Sequence, residues 1–110
     1  MLNRFVCVGR LVGDPTVEKI EGKEICKITL AVPRSYKNEE GIYETDFLDI
    51  VLWNAIATNT AEYCKKGDLV GVKGRLQTRD IYNEEHEFIK KIVEVVAEKI
   101  SFLSSAKKED

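Results

Sequence analysis

The segment ETDFLDIVLW, residues 44–53, decides the fold of this chain. Successive side chains of a β-strand point to opposite faces, so alternate residues of this segment form two rows. The aliphatic row is Leu48, Ile50 and Leu52, and the opposite row is Phe47, Asp49, Val51 and Trp53. The two rings of the second row are about 20 Å apart at roughly 3.3 Å per residue. One small core does not need rings opposite a complete aliphatic row, so we expect a second role for that face.

Length and composition describe one globular domain. The chain has 110 residues, of which 44% are hydrophobic and 33% are charged, and this is enough for a core of its own. The formal net charge is −2, so any basic surface must be local rather than global. The sequence has neither a long apolar run nor a signal-peptide pattern. We therefore expect a cytoplasmic protein without a membrane segment.

The sequence offers little for catalysis or metal binding. Cys7, Cys26 and Cys64 are far apart without a Cys-x-x-Cys pair, and each has apolar neighbours, so we expect buried free thiols. His86 stands alone among glutamates, where a metal site would need further His or Cys ligands. No Ser-His-Asp set, Cys-His pair or glycine-rich phosphate loop is present. We expect a protein that is not an enzyme and that has no metal and no cofactor.

Alternation and turn residues predict five main strands and one helix. The strands are expected at residues 3–12, 25–32, 44–53, 68–79 and 88–103, and the helix at residues 54–66. Pro33 lacks an N–H donor and should end the second strand, with a polar loop after it at residues 34–43. Asn54 should cap the helix, and Lys65-Lys66-Gly67 should end it.

These elements predict an all-β fold, a closed five-stranded barrel of the oligonucleotide-binding (OB) type with one helix between strands 3 and 4. Glycines such as Gly9 permit the bends that barrel closure requires. An α+β sandwich would have the same number of strands and is the alternative. The domain should span residues 1–104, followed by a short polar tail at residues 105–110. The predicted core row of the fourth strand is Val70, Val72, Gly74 and Leu76.

The outward rows of two strands carry the functional hint. The fourth strand presents Lys73, Arg75, Gln77 and Arg79 opposite its core row, and the loop after the second strand adds Arg34, Tyr36 and Lys37. Rings interleaved with cations suit single-stranded nucleic acid, since bases stack at about 1–3 kcal/mol each and cations neutralise phosphates. An oligomer contact through the rings and a solvated face of charges are the alternatives. The rows support each other only if they share one surface.

Several motifs resemble those of the bacterial single-stranded DNA-binding protein family. The resemblance covers residues 2–103 approximately, in order. The matching motifs are Met1-Leu2-Asn3-Arg4, Val8-Gly9-Arg10-Leu11, Asp14-Pro15, Thr29-Leu30-Ala31-Val32, Asp46-Phe47, Tyr63-Cys64-Lys65-Lys66-Gly67 and Gly74-Arg75-Leu76-Gln77-Thr78-Arg79. The resemblance implies an OB barrel that forms a homotetramer and binds single-stranded DNA without sequence preference, in replication, recombination, repair or DNA uptake.

The resemblance also implies roles for individual residues. The family's stacking aromatics fall on Tyr36, Phe47 and Trp53, and a fourth falls on Tyr82, where this sequence is one residue longer. Its phosphate-contacting positions fall on Arg4, Lys66 and Arg79. Positions that can be basic in the family are here Asp49, Ala55 and Asp80, which predicts weaker or more salt-sensitive binding.

The resemblance stops at the C-terminus. Typical members continue into a long Gly- and Pro-rich tail whose acidic tip recruits replication and repair enzymes. This sequence ends at residues 106–110 without such a tip, as either a trimmed chain or a short, tail-less member would, so recruitment of those enzymes is not implied. DNA uptake and a phage or mobile-element origin both suit a short member. A non-catalytic rival is a protein-interaction OB subunit of a primosome, whose outward rings would serve assembly.

Overall fold

The computed structural model describes residues 1–105 and contains six strands and one helix. The elements are β1 (Phe5–Leu11), β2 (Val17–Ile20), β3 (Lys23–Lys37), β4 (Tyr43–Trp53), α1 (Asn54–Tyr63), β5 (Leu69–Tyr82) and β6 (Phe88–Ser104). The last strand ends at Ser104, and residues 106–110 of the expected tail lie outside the described residues.

Five of the strands close into a barrel. The order is β1-β5-β6-β4-β3, and β1 also pairs with β3 through Arg10–Ala31 and Leu11–Leu30, which closes the ring. All pairings are antiparallel except that between β4 and β6. The helix follows the third barrel strand, β4, and precedes the fourth, β5. The prediction of an all-β OB barrel with its helix in this position is confirmed.

The barrel interior is filled by the aliphatic rows that alternation predicted. Ile50 and Leu52 of β4 are fully buried and pack with Leu30, Val70 and Val72. Helix α1 contributes Ala57 to the same cluster. Burying these aliphatic groups away from water is the main source of stability for such a small domain. The second row of β4 is thereby directed outward.

Gly74 permits a close approach between β5 and β6. The register between these strands shifts after the pair Lys73–Lys99, because Gly74 pairs with Ala97 and Glu98 is the extra residue. A Cβ atom at Gly74 would overlap the carbonyl group of Val96. A glycine at this bulge therefore lets the two strands bend around the barrel.

Pro33 does not end β3, contrary to the prediction. The strand continues to Lys37 and pairs with β4 through Pro33–Thr45 and Lys37–Tyr43, with an irregular register between these pairs. Beyond Pro33, β3 pairs with β4 alone. The missing N–H donor therefore interrupts the hydrogen bonding with one neighbouring strand only, and β3 can continue. The polar loop expected at residues 34–43 is instead a hairpin arm, turned at Asn38, whose side-chain oxygen accepts backbone N–H groups of Glu40 and Ile42.

The helix boundaries also differ from the prediction. Helix α1 ends at Tyr63, and the N–H of Cys64 donates to the carbonyl oxygen of Thr60 at 3.0 Å. Asn54 is no cap, since it has φ of 56° as the first helical residue and the capping position belongs to Trp53. The strand passes directly into the helix there, and asparagine tolerates this left-handed turn better than most residues.

Two further differences concern extent and burial. β2 is a sixth strand that the sequence analysis did not count, paired with β3 as a hairpin around Gly22. Leu76, expected in the core, is 43% exposed. After Gly74, β5 runs beyond the end of the barrel. Its side chains still alternate there, but the core has ended, so Leu76 is exposed. Within residues 1–105, no helix is long and apolar enough to span a membrane.

Candidate nucleic-acid interface

The outward faces of β3 and β4 form one continuous surface. Direct cross-strand pairs join Ala31 to Phe47, Thr29 to Asp49, Lys27 to Val51 and Ile25 to Trp53. Residues paired in this way lie side by side on one face of the sheet. We call this surface the platform and define it as Lys27, Thr29, Phe47, Asp49, Val51 and Trp53.

The two rings of the platform are accessible to a ligand. Phe47 is 63% exposed and Trp53 is 36% exposed, whereas Val51 between them is almost fully buried. The hydroxyl group of Thr29 donates to Oδ1 of Asp49 at 2.7 Å, so this carboxylate is held against the sheet. The platform therefore has an accessible ring at each end, with the buried Val51 and the hydrogen-bonded Thr29–Asp49 pair between them.

Two grooves connect the platform to the β5–β6 hairpin. One, of about 520 Å³, is lined by residues that include Lys27, Asp49 and Arg79. The other, of about 250 Å³, is lined by residues that include Trp53, Gln77 and Arg79. The structure thus brings the far half of the basic row of β5, Gln77 and Arg79, onto the same surface as Trp53.

The guanidinium group of Arg79 already has a carboxylate partner in this surface. Its Nε lies 2.9 Å from Oε1 of Glu94, and its Nη2 lies 3.4 Å from Oε2. The Glu94 side chain is only 14% exposed. A charge-assisted pair with two contacts orients the arginine and neutralises much of its field.

The near half of the basic row of β5 lies at a different groove. Lys73 pairs directly with Lys99 across β5 and β6, and both line a groove of about 390 Å³ together with Arg4. The side chain of Asn3 holds the N-terminus there through two hydrogen bonds to the backbone of Leu76. Sequence reasoning did not single out Lys99, because its position beside Lys73 follows from a shifted strand register.

Arg75 lies between these two groups of residues. Its guanidinium group contacts the Glu98 carboxylate at 3.5 Å and donates to the side-chain oxygen of Gln77 at 3.1 Å. The basic row of β5 is therefore continuous along the strand, although its two ends line different grooves.

The β3–β4 arm carries Arg34, Tyr36 and Lys37. The guanidinium group of Arg34 contacts the carboxylates of both Asp46 and Glu44. This hydrogen bonding raises the pKa of Arg34 above its already high value and lowers the pKa of Asp46. Tyr36 is exposed, and the Lys37 ammonium lies 5.6 Å from the ring centre of exposed Tyr43. Sequence reasoning did not single out Tyr43, although it lies in the same aromatic and basic segment.

The tip of the β5–β6 hairpin carries a second aromatic pair. Tyr82 and Phe88 are cross-strand partners whose ring centres are 6.2 Å apart in an edge-to-face arrangement. Both rings are exposed, whereas Ile81 is half-buried. Lys66 lies apart from this tip, in the exposed turn after α1, where its N–H donates to Asp14 at 2.7 Å.

The three cysteines are placed as inert thiols. Cys26 and Cys64 are buried and Cys7 is half-buried. Burial raises the pKa of each thiol, so the reactive thiolate is disfavoured at neutral pH. Within residues 1–105, no group of three or more His, Cys, Asp or Glu residues is arranged to hold a metal ion.

Lys27 is the platform residue that sequence reasoning missed. It falls within the strand expected at residues 25–32, but the surface it shares became visible only from its pairing with Val51. It lines both grooves of the platform. Lys27 lies two residues before Thr29, so the two side chains share one face of the strand. Together with the position of the β3–β4 turn, which sets the register of the hairpin, this spacing would have predicted that Lys27 lies on the platform.

The chain is similar to known proteins along nearly its whole length. A family model described as the single-strand binding protein family matches residues 2–103. Single-stranded DNA-binding protein B of Bacillus subtilis (strain 168) is 43% identical over 110 residues, which cover 99% of this chain and 96% of that protein. The single-stranded DNA-binding protein of Halalkalibacterium halodurans is 45% identical over 104 residues, 94% of this chain but 61% of that protein. Single-stranded DNA-binding protein 1 of Staphylococcus aureus (strain MSSA476) is 41% identical over 111 residues, covering 100% of this chain and 70% of that protein.

Proposed function

The chain belongs to the single-strand binding protein family, and from this membership we propose that it binds and protects single-stranded DNA without sequence specificity. Bases stack on Phe47 and Trp53 of the platform, and Tyr36 and Tyr82 extend the track at the two hairpins. The phosphate contacts come from Arg4, Lys37, Lys66, Lys73, Arg75 and Arg79. Arg34, Arg75 and Arg79 already have carboxylate partners, so they contribute less than the cations that form no ion pair within residues 1–105.

One observation carries this proposal. Phe47 and Trp53 are exposed on the same face of β4, opposite a row that already completes the core with Ile50 and Leu52. Every base has a flat π-face, so an exposed ring accepts any base, and binding is then tolerant of sequence. The function needs no bond making, no cofactor and no metal, and we propose a binding protein that is not an enzyme.

Tryptophan fluorescence tests the proposal directly, because Trp53 is the only tryptophan of the chain. We expect oligo-dT to quench this fluorescence to saturation, and Trp53→Ala and Phe47→Ala each to weaken binding measured with a labelled oligonucleotide. If both substitutions leave the affinity unchanged but dissociate an oligomer, the platform is an assembly surface of the primosome-subunit kind. If oligo-dT binds with normal affinity but does not quench the fluorescence, the rings of the platform are not part of the binding site.

A separate exposed surface supports self-assembly, and we propose the homotetramer that the sequence resemblance implied. Val6 and Val8 of β1 and Leu103 of β6 are exposed apolar side chains. A Cβ at Gly71 would lie 3.8 Å from Val8 and 3.7 Å from Leu103, so these two side chains flank the glycine on the outer face of β1, β5 and β6. Exposed apolar groups gathered in this way are typical of protein contacts.

Sedimentation equilibrium tests the assembly. We expect the wild-type chain to sediment with the mass of four copies, and Val8→Asp to dissociate it. The matched control is Ile42→Asp, which changes an equally exposed aliphatic residue in the turn of the β3–β4 arm. A monomer at all concentrations would contradict the proposed tetramer.

We place the protein in the cytoplasm, at the nucleoid, where replication, recombination, repair and DNA uptake expose single strands. The barrel itself provides the DNA-binding surface. Residues 106–110, on which the expectation about partner enzymes depended, lie outside the described residues, so no partner enzyme forms part of the proposal.

A further inference from the structure

We infer that Lys27 is a phosphate-contacting residue at the centre of the platform. This inference rests on the proposed function and adds a residue to it. Lys27 lies on β3 directly opposite Val51, with Asp49 and Trp53 as its diagonal neighbours on β4. Diagonal neighbours of this kind are about 7–8 Å apart, within reach of a lysine side chain. A base stacked on Trp53 would thus have its backbone close to the Lys27 ammonium group.

The state of the neighbouring cations singles out Lys27. Arg79 is paired with Glu94, and on the adjoining arm Arg34 is paired with Asp46 and Glu44. Among the ion pairs formed by residues 1–105, none includes Lys27. An unpaired cation can neutralise a phosphate at once and release the counterions condensed on the strand, whereas a paired arginine must first lose carboxylate contacts.

The acidic residue closest to Lys27 along the platform is held by another group. Asp49 accepts the hydroxyl hydrogen of Thr29 at 2.7 Å, and this bond holds its carboxylate beside Thr29. Lys27 itself is exposed, while its partner Val51 is buried beneath the grooves. The aliphatic stem of a lysine can lie on such an apolar floor while its ammonium group stays in water.

The formal charges that line the larger groove show what Lys27 contributes to its electrostatic field. The larger groove is lined by two cations, Lys27 and Arg79, and two anions, Asp49 and Glu94, so its formal charge is zero. Removing the Lys27 charge leaves this groove at −1, which would repel a phosphodiester. Lys27 therefore decides whether a phosphate meets a neutral or a negative groove.

A salt titration of the affinity for labelled oligo-dT tests the inference. Each phosphate contact on a single strand contributes about 0.7 to the steepness of log K against log salt. We expect Lys27→Gln to weaken binding at low salt and to reduce this steepness by about 0.7 for each copy of the chain that is engaged. Between roughly 50 and 200 mM salt, the loss of affinity should then be about 2.5-fold smaller than for wild type.

Two further variants provide the controls. Lys27→Arg keeps the charge and should retain the wild-type steepness. Lys19→Gln makes the same charge change at an exposed lysine of β2. The next residue, Ile20, lines the smaller groove, so strand alternation directs Lys19 to the opposite face. It should behave as wild type.

The possible outcomes separate this inference from the proposed function. If Lys27→Gln has the wild-type steepness while Trp53→Ala weakens binding, the inference about Lys27 is wrong and the proposed function stands. If Lys19→Gln has the same effect as Lys27→Gln, the effect is one of net charge and the inference is also wrong. If Trp53→Ala and Phe47→Ala change nothing, the platform does not bind the strand and both proposals fail.

Discussion

The guanidinium group of Arg34 holds the carboxylate of Asp46 through two hydrogen bonds, with Nε 3.1 Å from Oδ2 and Nη2 3.0 Å from Oδ1. Its Nη1 also donates to Glu44 at 2.8 Å. The arginine that the sequence suggested as a phosphate ligand therefore links the two strands of the β3–β4 arm. We expect its substitution to disturb the structure of the arm first, and DNA binding only through that change.

The Arg34–Asp46 pair predicts a dependence of stability on pH. The pKa of Asp46 is lowered in the folded chain by the hydrogen bond from Arg34, so the pair stabilises the fold above the ordinary carboxyl pKa of about 3.9. This contribution is lost as the pH falls through the lowered pKa. Arg34→Gln should melt slightly below wild type at neutral pH, with a difference that shrinks below about pH 4. The difference is small because the pair is solvent-exposed.

Melting curves of wild type and Arg34→Gln from neutral pH to about pH 2 measure this effect. Lys37→Gln is the control, since it changes a charge on the same arm that makes no ion pair with Asp46. A difference that grows on acidification would contradict the assignment.

Asp49 should weaken DNA binding through its charge. Asp49→Asn keeps an oxygen that accepts the Thr29 hydroxyl but removes a negative charge from the platform, so affinity for oligo-dT at low salt should rise about two- to fivefold, as expected for about 0.5–1 kcal/mol. Asp49→Arg should raise it further. Both gains should shrink at high salt because of screening.

Thr29→Val is the matched control for Asp49, because it removes the hydrogen bond and retains the charge. It should produce no comparable gain. Unchanged affinity in Asp49→Arg would mean that the strand passes elsewhere.

Gly74→Ala should destabilise the barrel. A Cβ at this position would overlap the Val96 carbonyl group, which belongs to the backbone and cannot rotate away. Overpacking of this kind typically costs about 1–3 kcal/mol. Urea denaturation should show the midpoint falling without a change of slope. Gly13→Ala is the control, since within residues 1–105 no heavy atom beyond Gly13 and its two chain neighbours lies within 4 Å of its Cβ position. An equal loss in both variants would contradict the packing argument.

Tyr82 should be the stacking residue at the tip of the β5–β6 hairpin. Tyr82→Ala should lower the affinity for oligo-dT by about 5- to 150-fold, the equivalent of about 1–3 kcal/mol for a stacked base. Ile81→Ala should have little effect on affinity, because Ile81 is aliphatic and half-buried. Measured by anisotropy of a labelled oligonucleotide, the reverse order of effects would place the contact with the strand at Ile81 and exclude stacking on Tyr82.

Alternation along residues 44–53 predicted the faces of β4 correctly, because the direction of a side chain in a strand depends only on its neighbours in the chain. Ile50 and Leu52 are buried and Phe47 and Trp53 are exposed, as expected. The same rule was wrong at Leu76, where the strand outlasts the core. Periodicity describes a strand but not the length of the core behind it.

Local turn chemistry was predicted less well. Pro33 was expected to end a strand, but β3 has only one neighbour at that point and continues to Lys37. Asn54 was expected to cap α1, but the strand enters the helix without a loop and uses Asn54 for the turn. In both places, the local structure depended on the neighbouring elements: a single paired strand at Pro33, and the direct junction of β4 and α1 at Asn54.

The sequence by itself determined that the chain is an OB barrel with an aromatic face, because local alternation and turn residues, together with motifs kept in order, specify strands and their two sides. Tertiary structure alone decided which cations are available on that face. Arg34 and Arg79 meet carboxylates, while Lys27 lies between Asp49 and Trp53 without an ion pair among the described residues. Ion pairs between strands depend on register, and register is set by the closure of the whole barrel.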